Sequence, residues 1–86
     1  MPQISIFLGI IIKMYYRDHN PPHFHAVYGE YEGLVDINNL ELLSGHLPPR
    51  VLGLVIEWAA IHQSELLHNW DKAMKQETLL PIQPLV

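Results

Sequence analysis

The spacing of apolar residues changes once along this chain. Between Ile4 and Leu43 they alternate with polar residues or run in short β-branched and aromatic blocks; from Pro49 they recur every three to four positions. The first half therefore predicts strands and the second a helix. Strands are expected at Ile4–Leu8 and Ile10–Arg17, with Gly9 as a turn or bulge between them. A Pro-rich loop follows over Asp18–Pro22. Further strands are expected at His23–Tyr28, Tyr31–Ile37 and Leu40–Leu43, joined by two-residue turns at Gly29-Glu30 and Asn38-Asn39.

From Pro49 to Lys75, Val51, Leu52, Val55, Trp58, Ala59, His62, Leu66, Trp70 and Ala73 fall within one arc of a helical wheel. Pro48-Pro49 suits a first helical turn, where a missing N–H costs nothing. Trp58 and Trp70 read as core anchors and His62 as a core histidine. The last residues, "QETLLPIQPLV", read as an extended, Pro-broken tail on the surface. The expected fold is α+β in a single domain, residues 1–86. An antiparallel meander of four to five strands (residues 4–43) is covered on one face by a long C-terminal helix, about 49–75.

Alternation assigns faces. Phe24, Ala26 and Tyr28 separate from His23, His25 and Val27, and Gly33, Val35 and Ile37 from Glu32, Leu34 and Asp36. Closing the expected turns pairs Tyr28 with Tyr31, Phe24 with Val35, His23 with Asp36, Val35 with Leu42 and Asp36 with Glu41. A loop centred on Asn20 adds Arg17 opposite His23 and Tyr15 opposite His25. The face away from the helix then carries a row of Arg17, His23, Asp36 and Glu41, with His25 one step along.

Composition narrows the chemistry. The chain has no cysteine, which excludes disulfides and thiolate metal sites. A net charge of −4 argues against broad binding to a phosphate backbone. Residues 1–25, however, set Lys13 and Arg17 against Asp18 alone, so an anionic ligand should meet the histidine end. The apolar opening "ISIFLGIIIKMYY" has no basic residue before it and is too short to span a bilayer, so a cytoplasmic protein is expected.

"DHNPPHFHA", residues 18–26, holds three of the six histidines. As an acid-base set, Arg17, His23, His25 and Asp36 would suit binding of an anionic ligand and metal-independent cleavage of RNA. A carboxylate fixes an imidazole's tautomer, and a guanidinium holds an anion. That reading needs no cofactor. The alternative is a non-catalytic zinc module. His-x-His on a strand puts two rings on one face, so His23 and His25 with His19 would ligate the ion, and Asp36 competes with His19 as third ligand.

The opening through "DHNPPHFHA", together with "LPPRVLGLVIEWAAIHQSELLHNW", resembles a family of small bacterial proteins, domain of unknown function 4160. Asp18, His19, Pro21, Pro22, His23, Phe24, His25, Pro48, Pro49, Glu57 and Trp58 carry the resemblance. It implies a protein that works beside the product of a neighbouring gene, in a toxin–antitoxin-like pair or a shared complex. The helix suggests how partners would meet. As one rod, Pro49–Lys75 would span about 40 Å, against about 27 Å for the longest strand. Leu54 and Ile61 interrupt its polar arc. A homodimer, or a small protein partner seated along Leu54 and Ile61, is expected. A kink near His62–Ser64 is the competing arrangement.

Overall fold

The computed structural model describes residues 3–86. In chain order the elements are β1 (Gln3–Phe7), β2 (Ile10–Lys13), β3 (His23–Tyr28), β4 (Tyr31–Asp36), β5 (Leu42–Gly45), α1 (Pro49–Ile61) and α2 (Gln63–Met74). The strands form one antiparallel sheet in sequential order. The α+β meander is as expected; the helical half is not a single rod.

Local chemistry closes the hairpins. Leu8 and Gly9 both take positive φ, 50° and 79°, as a two-residue type I′ turn demands, and set Phe7 opposite Ile10. Gly29, at φ 58°, turns β3 into β4 with Tyr28 opposite Tyr31, Phe24 opposite Val35 and His23 opposite Asp36. Those pairings match the alternation pattern. Val35 also faces Leu42, but the register then slips, so that Leu34 meets Ser44 and Gly33 meets Gly45. The last strand accordingly lies at Leu42–Gly45 and not at Leu40–Leu43. The turn before it is longer than two residues: the Leu40 N–H donates to the Asp36 carbonyl, and Leu40 takes φ 54°.

The larger correction lies between β2 and β3. Their partners are Lys13 with His25 and Ile10 with Tyr28, a shift of two residues from the pairing of Arg17 with His23. A two-residue shift keeps every side chain on its face but changes its neighbours. The strand stops at Lys13; Met14 is buried in the core, and the Arg17 N–H donates to the Ala73 carbonyl of α2. The segment that alternation assigns to the sheet is claimed by a helix.

Helix α1 buries Val51, Val55, Trp58 and Ala59, with the Trp58 ring 5.5 Å from Phe7 and 5.7 Å from Phe24. The chain breaks at His62, whose N–H is shared between the Trp58 and Ala59 carbonyls at φ −112°. Gln63 then anchors the start of α2 by donating to the Ile37 and Asn38 carbonyls, at 2.7 and 3.1 Å. Two helices of 13 and 12 residues, about 20 and 18 Å long, fit a molecule whose longest extent is 33 Å. The overhang that argued for a partner is gone. Leu54 packs partly against the core, and Ile61 is 63% exposed. His62 lies at the break, its Nδ1 2.6 Å from Glu65 Oε1.

The tail has no regular structure, yet it is part of the core. Ile82 is buried and its N–H donates to the Ile4 carbonyl on the edge strand. The Asn69 amide brackets Leu80, donating to its carbonyl and accepting from its N–H, and Trp58 Nε1 donates to the Gln83 carbonyl. Among the described residues, no helix is long and apolar enough to cross a membrane.

Two glycines in this frame should respond oppositely to alanine. Gly45 sits at φ 82° with the Glu32 carbonyl where a Cβ would go, whereas Gly53 in α1 faces open space. Gly45→Ala should cost about 1–3 kcal/mol in urea unfolding, and Gly53→Ala should add about 0.5–1 kcal/mol. A neutral Gly45→Ala would contradict the β4–β5 pairing.

Candidate metal centre

The site is built where the Pro-rich loop returns to the sheet. Arg17, at φ 55°, turns the chain sharply, and the Asn20–Pro21 peptide is cis. Asp18 folds its carboxylate back so that Oδ1 accepts from the His19 N–H at 2.8 Å. Its other oxygen lies between two rings on β3: Oδ2 is 3.0 Å from His23 Nε2 and 3.3 Å from His25 Nε2. Strand alternation puts both rings on one face, with centroids 5.4 Å apart.

Each ring is held from its other nitrogen as well. His23 Nδ1 is 2.8 Å from the Pro21 carbonyl, and His25 Nδ1 is 2.9 Å from Glu32 Oε2. Glu32 is the diagonal neighbour of His25, whose direct partner on β4 is Leu34. The Trp70 ring of α2 lies 5.2 Å from His23, and Tyr15 stands edge-on to His25 at 4.4 Å. His23 is 1% exposed. It does not line an open face, as expected from alternation alone; α2 folds over it.

Burial works against ionisation of the Asp18 carboxyl. With protons on the Nε2 atoms of both rings, the His19 amide, the His25 hydrogen bond, and the charge and hydrogen bond of His23 outweigh it, leaving the pKa below the ordinary carboxylate value. The cluster is thus an ionised carboxylate facing two imidazole Nε2 atoms. The three ligand atoms lie within 4.8 Å of one another. Two ligands about 2.1 Å from a tetrahedral ion stand roughly 3.4 Å apart, and somewhat less around an octahedral one. The two separations from Asp18 Oδ2, 3.0 and 3.3 Å, suit ligands of a single divalent ion.

The structure gathers the expected residues only in part. His23 and His25 come together. Arg17 is exposed in the turn, away from the position opposite His23. Asp36 is opposite His23 along the strands, but its carboxylate is occupied: Oδ1 accepts from the Asn38 and Asn39 N–H groups, and Oδ2 from the Asn39 side chain. Glu41 meets Asp36 through its backbone, its carbonyl accepting the Asp36 N–H. His19 has a 79% exposed side chain, with Nε2 3.8 Å from Asp18 Oδ1. Asp18 and Glu32 are the carboxylates that touch the histidines. Two signals pointed to them: Asp18 opens the histidine motif, and Glu32 shares a face with His25.

A family model described as a domain of unknown function, DUF4160, matches residues 9–71. The chain belongs to that family. The DUF4160 match contains Asp18, His23, His25 and Glu32, and Trp70 over His23; β1 and the tail segment that bonds to it fall outside it. Comparison with the curated proteins and with the solved structures returns no match.

The two aspartates should separate in experiment. Asp36→Ala should lower stability by about 1–3 kcal/mol, because the Asn38 and Asn39 amides of the turn lose their acceptor, while the nitrogen resonances of His23 and His25 stay in place. Asp18→Ala should move both sets of ring resonances. Equal perturbation by the two variants would assign the histidine environment to the whole loop and not to the Asp18 carboxylate.

Proposed function

We propose that this protein binds a borderline divalent metal ion, zinc foremost, through Asp18 Oδ2, His23 Nε2 and His25 Nε2, and acts as a metal-dependent binding module. One observation carries the reading. Each imidazole faces an acceptor at both nitrogens. The Pro21 carbonyl can only accept, so His23 Nδ1 is the donor there; His25 lies between two carboxylates, and a proton on Nδ1, toward the shorter contact with Glu32, gives it the same arrangement. A neutral ring has one N–H, which leaves two bare Nε2 lone pairs aimed at one carboxylate. A cation is needed between them.

Protons are the first candidate. They would sit one on each Nε2, two separate charges on rings 5.4 Å apart around one carboxylate oxygen. A single metal ion satisfies all three atoms at once. It also leaves the two Nδ1–H groups donating to a carbonyl and a carboxylate, the usual outer partners of metal-bound histidine. Zinc suits two imidazoles and a carboxylate, and so do neighbouring first-row ions.

The metal-free acid-base reading, an anionic ligand or RNA handled by His23 and His25, uses the same two rings with protons in place of the ion. Its support is the exposed Arg17 guanidinium, which adjoins Asp18 in the chain. Any RNA cleavage that persists in chelator-treated protein and is lost in His25→Ala would favour it.

The test uses tag-free protein stripped with a chelator. Added zinc should raise the unfolding midpoint with concentration, by the equivalent of about 2.7 kcal/mol at one hundred times Kd. Asp18→Ala and His25→Ala should abolish the rise, and Asp36→Ala should keep it on a lower baseline. An unshifted wild type, or an equal shift in Asp18→Ala, would overturn the proposal.

A further inference from the structure

We infer that His19 is the fourth ligand of this centre, turning its Nε2 onto the ion and closing the coordination shell. The inference rests on the metal reading above and specifies what that ion sees on its open side. Three protein ligands leave a four-coordinate ion one position for water; a fourth protein ligand fills it. The question is which side chain can reach.

The burial of the three inner ligands gives the direction. The side chains of His23 and His25 are 1% and 11% exposed, closed in by Trp70 and Tyr15, while Asp18 is 19% exposed. The free side of the ion is therefore the side of Asp18. His19 stands there. Neighbouring side chains on an extended chain point apart, but here the Asp18 carboxylate folds onto the His19 amide. The two side chains come to the same side, with His19 Nε2 3.8 Å from Asp18 Oδ1. The His19 ring is also 5.4 Å from the His23 ring.

That 3.8 Å separation is beyond hydrogen-bond range. The ring is 79% exposed and touches the His23 ring on one side only, so its rotamer is lightly held. Rotation about the side-chain bonds moves it between staggered wells while the loop backbone, fixed by the His19 N–H bond to Asp18, stays in place. The resulting set is three imidazole nitrogens and one carboxylate oxygen. A shell of four protein ligands is the pattern of a structural or sensing site and not of a hydrolytic one, because no position remains for a reacting water.

Cobalt(II) reports this directly, since a four-coordinate tetrahedral ion absorbs visible light much more strongly than one carrying extra waters. The full chain at one equivalent of cobalt(II) should give intense visible bands. His19→Ala should still bind one equivalent, with those bands shifted in position and intensity as water takes the vacated place. His19→Cys should restore them and add a thiolate-to-cobalt band in the near ultraviolet, which appears only if residue 19 touches the ion. Because His19 is exposed, neither variant should change the unfolding midpoint of the metal-free protein. Cobalt bound with the same spectrum in wild type and His19→Ala, and no thiolate band in His19→Cys, would overturn the inference and leave the three-ligand centre standing. Failure of wild type to bind cobalt or zinc at all would overturn both.

Discussion

The six residues of β3 are buried on both sides at their N-terminal end, and most of the molecule follows from that constraint. Phe24 and Ala26 point into the apolar layer with Trp58, Val55 and Ile12, while His23 and His25 point the other way and are still shielded from solvent. A strand in that position must satisfy polar side chains without help from bulk water. Asp18, Glu32 and the Pro21 carbonyl are the groups the fold brings to them. The Pro-rich loop is thus more than a connector: its turn at Arg17 and its return at Pro21 deliver a carboxylate and a carbonyl to opposite nitrogens of one ring.

Satisfying those rings with acceptors alone creates the electrostatic problem that points to a cation. An asparagine, serine or backbone N–H at the position of Asp18 could donate to at least one Nε2, and the cluster would then read as a neutral hydrogen-bonded core. An ionised carboxylate cannot donate. Glu32 and Asp18 together bring two negative charges to two imidazoles at the edge of the core. One divalent ion balances the charge and the lone pairs together, whereas two protons balance the charge but set like charges side by side.

What was legible in the sequence is what depends on period two. Faces, the β3–β4 register and the pairing of Val35 with Leu42 follow from alternation and short turns, because a one-residue error would have put Phe24 and Val35 in solvent. The β2–β3 register was not legible for the same reason: a two-residue slip costs nothing in hydrophobic pattern. The end of β2 at Lys13 goes with a tertiary contact, the Arg17 N–H on the Ala73 carbonyl, which no local pattern encodes. The helix break entered the sequence reading only as the competing arrangement, a kink near His62–Ser64. The stretch from Ile61 to Ser64 has no glycine or proline, and the break is stabilised by Gln63 reaching the carbonyls of the β4–β5 turn. Asp18 was visible as a letter of the motif, but its partners depended on that undetermined register.

The same slip and break decide what kind of site this can be. Had β2 run on to Arg17 and the helix remained straight, His23 would have faced solvent beside a guanidinium, a surface suited to an anion. With β2 ending at Lys13 and α2 folded back, Trp70 lies against His23 and the loop carboxylate takes the place of the arginine. Charge sign at the rings is thereby reversed, from a cation that would attract phosphate to an anion that would suit the ion we propose. The loop, the central strand and α2 all meet at His23. An ion held there would tie the loop to the central strand, and through the Trp70 ring against His23 its occupancy would be linked to the docking of α2.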